Sequence, residues 1–503
     1  MRSSILGPSD WTISLTNDKV SRRQACHNPI DTTAAEGAFP LHAPSTMTPI
    51  PDLAKSVPPD VLFLCRRLRD RGWRCWIVGG CVRDLLLGRF VHDWDIASDA
   101  RPNDIMSLFR KVIPTGLQHG TVTVVLNAQR YEVTTLRGDG AYTDGRHPDQ
   151  IRFVDHLEED LARRDFTINA IAYDPIDRLL TDPSGGCADL QHRVIRAVGV
   201  ANDRFFEDGL RILRAARFAA TLHFDIEPDT ARAMKECASR LCCISQERIR
   251  DEWLKTLGAE QPSRGLRIML STGIIEATLP ELLPMIGCTQ NRYHAFDVWE
   301  HTLQTLDACR AEPILRLAML LHDIGKPEIR GINEKTGDYT FYHHEVSGAR
   351  IAEAIVQRLR LSNEQQRRVV HLVRHHLIPY DPSCTDSAVR RWLRRVGTEH
   401  LQDILEMARA DARGKGVDAS ETLETLEHLR QRVEELLRQS AALSVRDLSI
   451  NGHVLMGELG LPPGRQIGQI LEHLLQLVID DPSRNERHLL LAEARTYLQS
   501  QPN

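Results

Sequence analysis

The chain has 503 residues, which is too long for one ordinary domain and predicts about three or four units. Its formal net charge is −5, so the composition provides no general attraction for polyanions, and any contact with nucleic acid must depend on local patches. No apolar run reaches the roughly 18 residues that a membrane span needs. The 11 cysteines form no C-x-x-C pair, which argues against a zinc ribbon and a disulfide framework. We therefore expect a cytoplasmic protein that contacts no membrane.

The first part of the chain shows no regular pattern until about residue 51. Residues 1–50 are polar and contain Pro, Ser and Thr without a sustained period, which predicts a disordered segment or a start assigned too far upstream. The following stretch "PPDVLFLCRRLRDRGWRCWIVGG" has apolar residues at helical spacing and then a short buried strand. The stretches "GTVTVVL" and "YEVTTLR" are rich in β-branched residues and predict further strands. Beyond about residue 180 amphipathic helices dominate, so the sequence predicts an α+β chain with a small mixed α/β head and an extended all-α remainder.

Two aspartates follow the predicted strand and glycine turn in "WIVGGCVRDLLLGRFVHDWDIASDA". Asp93 and Asp95 are two residues apart, so on a strand their carboxylates face the same side. Paired carboxylates bind hard divalent cations, and a two-metal site aligns the attacking and leaving oxygens in phosphoryl or nucleotidyl transfer. A lone D-x-D is more often a solvated turn. Its coupling to Gly79-Gly80 and Arg83, which suit a phosphate, favours the catalytic interpretation.

These residues resemble the first motif of the DNA polymerase β superfamily of nucleotidyltransferases, and more narrowly that of the class II tRNA nucleotidyltransferases, the CCA-adding enzymes. In that family the motif reads GG-x-x-RD followed by D-x-D. The resemblance implies a polymerase β-like head in which Asp93 and Asp95 hold two Mg²⁺ ions. It also implies a third catalytic carboxylate on a neighbouring strand, and Glu132 in "RYEVTTLR" is the matching position.

Two further stretches resemble nucleotide-binding motifs of the same family. In "RRDFTINAIAYD", Arg164 and Asp165 are a donor and an acceptor suited to a triphosphate and to sugar hydroxyls, although alone they would be an ordinary exposed pair. In "FFEDGLRILRAARFAA", Asp208, Arg211 and Arg214 recur every third residue and would share one face of a helix. The implied nucleotide-binding residues are Gly79, Gly80, Arg83, Arg164, Asp165, Asp208, Arg211, Arg214 and Arg217.

The carboxylate and guanidinium of Asp208 and Arg211 suggest how a base would be selected. Cytosine and adenine both present an amino donor beside a ring-nitrogen acceptor, and a carboxylate with a guanidinium matches both. Uracil and guanine present a carbonyl and an N–H there, which would oppose acceptor to acceptor and donor to donor. An i, i+3 pair is more often a surface salt bridge, so the interpretation depends on the surrounding motifs. The last motif, "ERIRDEWLKTL", predicts a structural helix.

A second set of polar residues lies in the helical half. "LRLAMLLHDIGKPEIRG" places His322-Asp323 directly after an apolar run, and buried polar groups need partners. Imidazoles and carboxylates on successive helices can converge on one divalent metal. The set resembles an HD phosphohydrolase domain, which implies as metal ligands His301, His322, Asp323, His344, His375 and Asp411. The doublets His343-His344 and His375-His376 each leave two choices open.

The resemblances predict an organisation in five parts. These are a segment 1–50, a nucleotidyltransferase head 51–178, a helical neck and body 179–290 that selects the nucleotide and binds tRNA, an HD domain 291–415 and a helical tail 416–503. The implied activity is addition of CMP, CMP and AMP to the 3′ end of tRNA from CTP and ATP. The head would use Mg²⁺, and the imidazole-rich HD site would add a phosphohydrolase activity with Ni²⁺, Co²⁺ or Mn²⁺. The expected partners include no DNA and no membrane, and the oligomeric state stays open.

Three alternatives remain at the level of sequence. A poly(A) polymerase or a partial CC- or A-adding enzyme would share the head, but "PTGLQHGTVTVVL" and the loop "RGDGAYTDGRHPDQ" resemble CCA-adding enzymes more. A regulatory RNA-binding protein with decayed sites is disfavoured because the carboxylates and histidines are all present. An alarmone synthetase-hydrolase is disfavoured because its HD domain comes first.

Overall fold

The computed structural model of the protein describes residues 48–49, 53–139, 151–438 and 444–500. All of these residues belong to one compact unit. Most of the segment predicted to be disordered, and residues 140–150 of the loop motif, lie outside the described residues. The prediction of disorder is wrong for residues 48–49, which pair with the strand Leu179–Thr181.

The head is a mixed sheet with helices packed against it. Its strands are β1 (Thr48–Pro49), β2 (Cys75–Val78), β3 (Asp95–Ser98), β4 (Val112–Gly116), β5 (Thr121–Leu126), β6 (Gln129–Thr135), β7 (Arg137–Asp139), β8 (Ile151–Phe153), β9 (Ala172–Asp174) and β10 (Leu179–Thr181). In the described structure the main sheet runs β1-β10-β9-β2-β3-β6-β5-β4, and β7 pairs with β8 separately. The strands predicted at "GTVTVVL" and "YEVTTLR" are confirmed as β5 and β6. Asn127 and Ala128 join them with positive φ at both residues, as a tight hairpin requires.

One parallel contact in this sheet positions the site. β3 and β6 are parallel neighbours, and their register places Asp95 beside Glu132. The other pairings within the main sheet are antiparallel. Because residues in register on adjacent strands point to the same face, the two carboxylates share one face of the sheet.

The helices account for most of the remaining chain. They are α1 (Pro59–Arg69), α2 (Gly80–Leu86), α3 (Pro102–Leu108), α4 (Leu157–Ala162), α5 (Gly186–His192), α6 (Ala201–Glu207), α7 (Leu210–Leu222), α8 (Pro228–Cys237), α9 (Gln246–Leu257), α10 (Pro262–Ser271), α11 (Ile274–Thr278), α12 (Val298–Ala308), α13 (Pro313–Leu321), α14 (Lys326–Ile329), α15 (His344–Arg358), α16 (Asn363–His375), α17 (Asp386–Val396), α18 (Leu401–Gly414), α19 (Ser420–Arg438), α20 (Gly452–Leu459), α21 (Arg465–Asp480) and α22 (Arg487–Ser500).

The predicted α+β class, a mixed α/β head followed by helices, is confirmed. The described residues of the helical part also contain four strands of two residues each, which the sequence pattern did not predict: β11 (Val194–Ile195), β12 (Asp225–Ile226), β13 (Gly331–Ile332) and β14 (Tyr339–Thr340). Strands this short have too few side chains to show a period.

The apolar core is continuous from the head into the helices. One cluster of buried residues runs from Val57 to Leu436, and a smaller cluster from Leu448 to Ala494 holds α20, α21 and α22 together. Because the larger cluster contains residues of both parts, it packs the helices that follow the head against the head. Among the described helices, none has the length and apolar character of a membrane span.

Candidate functional sites

The glycine turn between β2 and α2 allows a close approach of charged groups. Gly79 has φ +79°, which favours glycine, and a Cβ there would lie 2.9 Å from Arg164 Nη1 and 3.8 Å from Asp95 Oδ2. A side chain at this position would push the guanidinium away from the carboxylate. The predicted turn therefore brings Gly79, Arg164 and Asp95 together.

The three predicted catalytic carboxylates lie in one region of the sheet, on β6 and at the start of β3. Asp95 is the first residue of β3, Asp93 precedes the strand, and the Trp94 side chain between them is buried, so both aspartates face outward. Desolvation by the groups around it raises the pKa of Asp95, Arg164 lowers it, and the charges of Glu132 and Asp93 raise it further. The charges of Glu132 and Asp93 therefore disfavour the ionised form of Asp95 unless a cation lies nearby. The donor set fits Mg²⁺, which prefers oxygen ligands.

The predicted nucleotide-binding residues all line one cavity of about 570 Å³, and Asp95 lines it too. Arg83 donates from Nη1 to Asn169 Oδ1 at 2.8 Å, and its guanidinium lies 5.1 Å from the Phe218 ring centroid. The guanidinium of Arg217 lies 4.0 Å from the same centroid. Cation–π contacts hold these side chains against the cavity wall, where their charge suits a triphosphate.

Asp165 does not face the cavity as a free acceptor. Its Oδ2 accepts from Arg214 Nε at 2.8 Å and from Nη2 at 2.6 Å, and its Oδ1 accepts from Asn169 Nδ2 at 3.1 Å. Burial alone would raise the pKa of Asp165, but Arg214 and Asn169 lower it to about 2. Asp165 therefore fixes the orientation of Arg214 in the cavity wall.

The expectation that Asp208 lies on one helix with Arg211 and Arg214 is wrong. Asp208 follows α6 in an extended conformation with φ −143°, and α7 begins at Leu210. The Asp208 carboxylate accepts from the Leu210 backbone N–H at 3.1 Å, which favours a new helix start over a continuous helix. The three residues still reach the same cavity because the chain turns at this junction.

Asp208 is paired with Arg248, a residue of α9 that the sequence pattern assigned to a structural helix. Arg248 Nη1 donates to Asp208 Oδ1 at 3.2 Å, and Nη2 donates to Oδ2 at 2.7 Å. Arg211 instead donates to Glu207 Oε2 at 2.6 Å and to the Arg163 carbonyl at 2.8 Å. One turn further along α9, the buried Glu252 accepts from Arg217. The sequence contained a signal for these pairs. Arg248 and Glu252 are spaced i, i+4 and so share one face of α9, and their charges are opposite to those of Asp208 and Arg217.

Comparison with known proteins identifies the family. The models that match are "Poly A polymerase head domain" over residues 75–196, "Probable RNA and SrmB- binding site of polymerase A" over 223–286 and "tRNA nucleotidyltransferase domain 2" over 338–494. A CCA-adding enzyme from Streptococcus gordonii is 33% identical over 443 residues, which cover 86% of this chain and 96% of that enzyme. The chain belongs to the CCA-adding enzymes.

Other members of the CCA-adding enzymes agree with this assignment. One from Lactobacillus johnsonii is 46% identical over 215 residues, which are 43% of this chain and 54% of that relative. The crystal structure of the Bacillus stearothermophilus CCA-adding enzyme in complex with CTP is 30% identical, with a TM-score of 0.67, and the match covers 88% of this chain and 100% of that one. Membership of the CCA-adding enzymes implies a general dependence on a divalent metal.

In this CCA-adding family member a second polar site lies among the later helices. We call it the His–Asp cluster; its members are His301, His322, Asp323, His344, His376 and Asp411. His301 lies in α12, His322 and Asp323 follow α13, His344 begins α15, His376 follows α16 and Asp411 lies in α18. Side chains from within or next to five different helices therefore come together, in two groups that share Asp323.

Of the doublet His375-His376, only His376 reaches the cluster. The prediction of His375 as a metal ligand is therefore wrong. His376 Nε2 lies 3.1 Å from His344 Nε2, whereas the His375 ring lies 4.5 Å from that of His371 on another face of α16. Successive helical residues point about 100° apart, so the two side chains cannot share a site. In the other doublet, His344 is buried, and the side chain of His343 is 84% exposed.

Hydrogen bonds fix the tautomer of each imidazole in the cluster. The Nδ1 atoms of His301, His322, His344 and His376 lie 3.1, 2.7, 2.9 and 2.8 Å from backbone carbonyl oxygens. Since a carbonyl oxygen only accepts, each Nδ1 must carry the proton and donate it. In the neutral ring Nε2 is then the atom that can bind a metal, the arrangement that metal-binding histidines use.

The carboxylates complete this ligand set. His301 Nε2 lies 3.1 Å from Asp411 Oδ1, and His322 Nε2 lies 3.2 Å from Asp323 Oδ2. His322 Nε2 is buried and makes no hydrogen bond of good geometry, although these acceptor oxygens surround it. Burial lowers the pKa of His322, but Asp323 and Asp411 raise it to about 9, so this position attracts positive charge. Imidazole and carboxylate ligands together fit a divalent transition metal.

The His–Asp cluster opens into a cavity of about 430 Å³. Lys326 Nζ lies 2.6 Å from Asp323 Oδ2, and Lys415 Nζ lies 3.1 Å from Asp411 Oδ2. The same cavity is lined by Tyr293 and Tyr342, which are 58% and 73% exposed. Lysine ammonium groups can bind a phosphate, and exposed aromatic rings can stack on a base. The cavity therefore suits a phosphate group attached to a base.

Proposed function

We propose that this chain adds CMP, CMP and AMP to the 3′ end of tRNA, with CTP and ATP as substrates and pyrophosphate as product. The observation that carries the proposal is the position of Asp95, beside Glu132 and at the edge of the cavity that contains Asp208 and Arg214. A catalytic carboxylate thus adjoins the groups suited to a triphosphate and a base. The names of the relatives support the same activity over a poly(A) polymerase or a partial enzyme.

The carboxylates of Asp93, Asp95 and Glu132 are the groups that would hold two Mg²⁺ ions. When bound, such ions activate the 3′-hydroxyl of the RNA and stabilise charge on the departing pyrophosphate. Arg83 and Arg164 lie in the cavity wall beside Asp95, where they would bind the triphosphate. The two arginines would keep the α-phosphate aligned with the attacking hydroxyl.

Asp208 and Arg211 would select the base. A carboxylate has about four lone-pair positions, and Arg248 and the Leu210 N–H occupy three of those on Asp208. One acceptor position is left for the amino group that cytosine and adenine share. Uracil and guanine would place a carbonyl oxygen against this acceptor, and an unpaired buried acceptor is costly.

The test is incorporation into tRNA that lacks CCA, CA or A, with each nucleotide supplied separately. We expect CTP to extend the first two substrates, ATP to extend the third, and UTP and GTP to be rejected. Asp208→Ala should slow CTP and ATP use and reduce the discrimination against UTP and GTP. Addition of many AMP residues would indicate a poly(A) polymerase instead, and addition of CMP only would indicate a partial enzyme.

We further propose that residues 291–415 act as an HD phosphohydrolase domain on phosphoester bonds of RNA ends or nucleotides, such as 2′,3′-cyclic phosphates. The supporting observation is the convergence of four imidazoles and two carboxylates beside a cavity with two lysines. A bound metal would supply a hydroxide nucleophile at neutral pH. Lys326 and Lys415 would bind the phosphate. The imidazole ligands predict activity with Ni²⁺, Co²⁺ or Mn²⁺, whereas the head should use Mg²⁺.

Assay of both reactions with each metal tests this second activity. The double variant His322→Ala/Asp323→Ala should lose hydrolysis of a 2′,3′-cyclic nucleotide and keep CCA addition, and Asp93→Ala/Asp95→Ala should do the reverse. If the wild-type protein hydrolyses no such substrate with any of these metals, the cluster has another role.

A further inference from the structure

Two threonine hydroxyls, which we call the hydroxyl pair, lie in the wall of the cavity that holds the predicted nucleotide-binding residues. Thr121 begins β5, Thr134 belongs to β6, and both line this cavity together with Asp95. We infer that the hydroxyl pair binds the 2′-hydroxyl of the RNA end that receives the nucleotide, and so selects a ribose end over a deoxyribose end. This inference deepens the proposed CCA addition and rests on it.

The register of the sheet places the hydroxyl pair beside the catalytic carboxylates. Thr134 lies two residues after Glu132 on β6, so the two side chains point to the same face. Thr121 is opposite Thr134 in the antiparallel contact of β5 and β6, and their Oγ1 atoms are 3.0 Å apart. On its other side Thr134 is in register with Ala97, two residues after Asp95 on β3. The hydroxyl pair therefore shares the face of Glu132 and Asp95.

The order of the strands separates the hydroxyl pair from the groups suited to the triphosphate. In the main sheet β3 lies between β2 and β6. Gly79 follows β2 and approaches Arg164, so this arginine lies on the β2 side of Asp95. The hydroxyl pair lies on the opposite side, on β6 and β5. In nucleotidyl transfer the attacking hydroxyl and the departing pyrophosphate are in line on opposite sides of the phosphorus. The side of the hydroxyl pair is therefore the side of the RNA end.

The hydrogen bonds of the hydroxyl pair leave one donor for a ligand. Each threonine hydroxyl carries one proton and can accept at two lone pairs. The bond between the two Oγ1 atoms uses one proton, and the described residues provide no acceptor for the other. A ribose 2′-hydroxyl can accept this proton and donate its own to a threonine oxygen. A deoxyribose presents only C–H groups at this position and would leave the hydroxyls unpaired.

A second pair of threonines in the same sheet shows what distinguishes the hydroxyl pair. Thr115 Oγ1 lies 2.9 Å from Thr123 Oγ1, and hydrogen bonds between threonines on adjacent strands are common without any ligand. Thr123 is only 4% exposed, and neither residue is among the described residues that line the cavity. Thr121 and Thr134 are half-buried and open to the cavity that contains Asp95. The hydroxyl pair alone of these two pairs is therefore accessible to a substrate.

Addition of AMP to tRNA that ends in CC tests the inference, with either a ribose or a 2′-deoxyribose in the terminal nucleotide. Both ends keep the 3′-hydroxyl that reacts. For the wild-type protein we expect kcat/KM to be at least about tenfold higher with the ribose end. Thr121→Val/Thr134→Val keeps the shape of both side chains and removes their hydroxyls. This variant should lower kcat/KM about tenfold for the ribose end and less than about threefold for the deoxyribose end. A purely structural effect would lower both values by the same factor.

The matched control is Thr115→Val, which removes a hydroxyl from the other pair and should keep the wild-type preference for the ribose end. Thermal unfolding of each variant checks that the chain still folds. An unchanged preference in the double variant would overturn the inference. A lost preference for ATP over 2′-deoxy-ATP, with the preference for the ribose end intact, would also overturn it and assign the hydroxyl pair to the incoming nucleotide.

The wild-type protein separates failure of the inference from failure of the proposed function. If it adds AMP to both ends with equal kcat/KM, only the inference has failed. If it extends neither end, the proposed CCA addition has failed as well.

Discussion

The pairing of Arg248 with Asp208 predicts that a residue of α9 controls nucleotide selection. Arg248→Ala removes two hydrogen bonds to a carboxylate, at 3.2 and 2.7 Å, and leaves Asp208 oriented by the Leu210 N–H alone. Hydrogen bonds to charged groups contribute about 1.5 to 3 kcal/mol each. The two side chains are 26% and 17% exposed, so we take the lower value, about 1.5 kcal/mol, for the pair as a whole.

This loss of orientation should affect CTP and ATP more than UTP and GTP, because only the first two donate to Asp208. A change of about 1.4 kcal/mol corresponds to a tenfold change in rate, so we expect kcat/KM for CTP and ATP to fall about tenfold. The values for UTP and GTP should change less than about threefold, since they do not use the acceptor. The preference for CTP and ATP over UTP and GTP should therefore fall by nearly the same factor as kcat/KM for CTP and ATP.

Steady-state single-nucleotide addition to tRNA lacking CCA measures these values. Arg248→Lys should be intermediate, because an ammonium keeps the charge but cannot pair through two parallel hydrogen bonds. Arg250→Ala is the matched control: Arg250 lies on the same helix but donates to the Arg360 carbonyl, at 2.7 Å, and to Asp251. An unchanged ratio of CTP to UTP use in Arg248→Ala would refute the reasoning and place base selection elsewhere.

Three further predictions concern the carboxylates and the His–Asp cluster. Asp93→Ala or Asp95→Ala should abolish nucleotide addition with Mg²⁺ while tRNA binding, measured by filter retention, persists; incorporation near the wild-type rate would contradict their role. Asp165 has a pKa of about 2 against an ordinary 3.8, so its ionised form contributes about 2 kcal/mol of stability above about pH 4, and this is lost as the pH falls toward 2. Asp165→Asn should therefore unfold at lower urea concentration at pH 7, with a smaller further loss upon acidification; equal midpoints would disprove this. His322→Ala/Asp323→Ala should lose metal-dependent hydrolysis, and full retention would mean that the cluster is structural.

Local features of the sequence were enough for the fold class and for much of the site in the head. The glycine turn, the β-branched runs of β5 and β6 and the aspartate spacing depend on backbone conformation and on side-chain period, which neighbouring residues determine. Glu132 could be matched only through the family resemblance. Its place beside Asp95 depends on the parallel register of β3 and β6, two strands that are distant in the chain.

The partners of the functional groups were decided by the tertiary structure. The sequence shows that Asp208 and Arg211 are close in the chain, but Arg248 arrives from α9, and the carboxylate pairs with that side chain because packing brings it there. The sequence likewise presents His375 and His376 as equal candidates. The direction in which α16 packs selects His376, since neighbouring residues on a helix face different ways. Residue types and their periods are local properties of the chain, whereas the meeting of side chains from distant helices depends on how the apolar core packs.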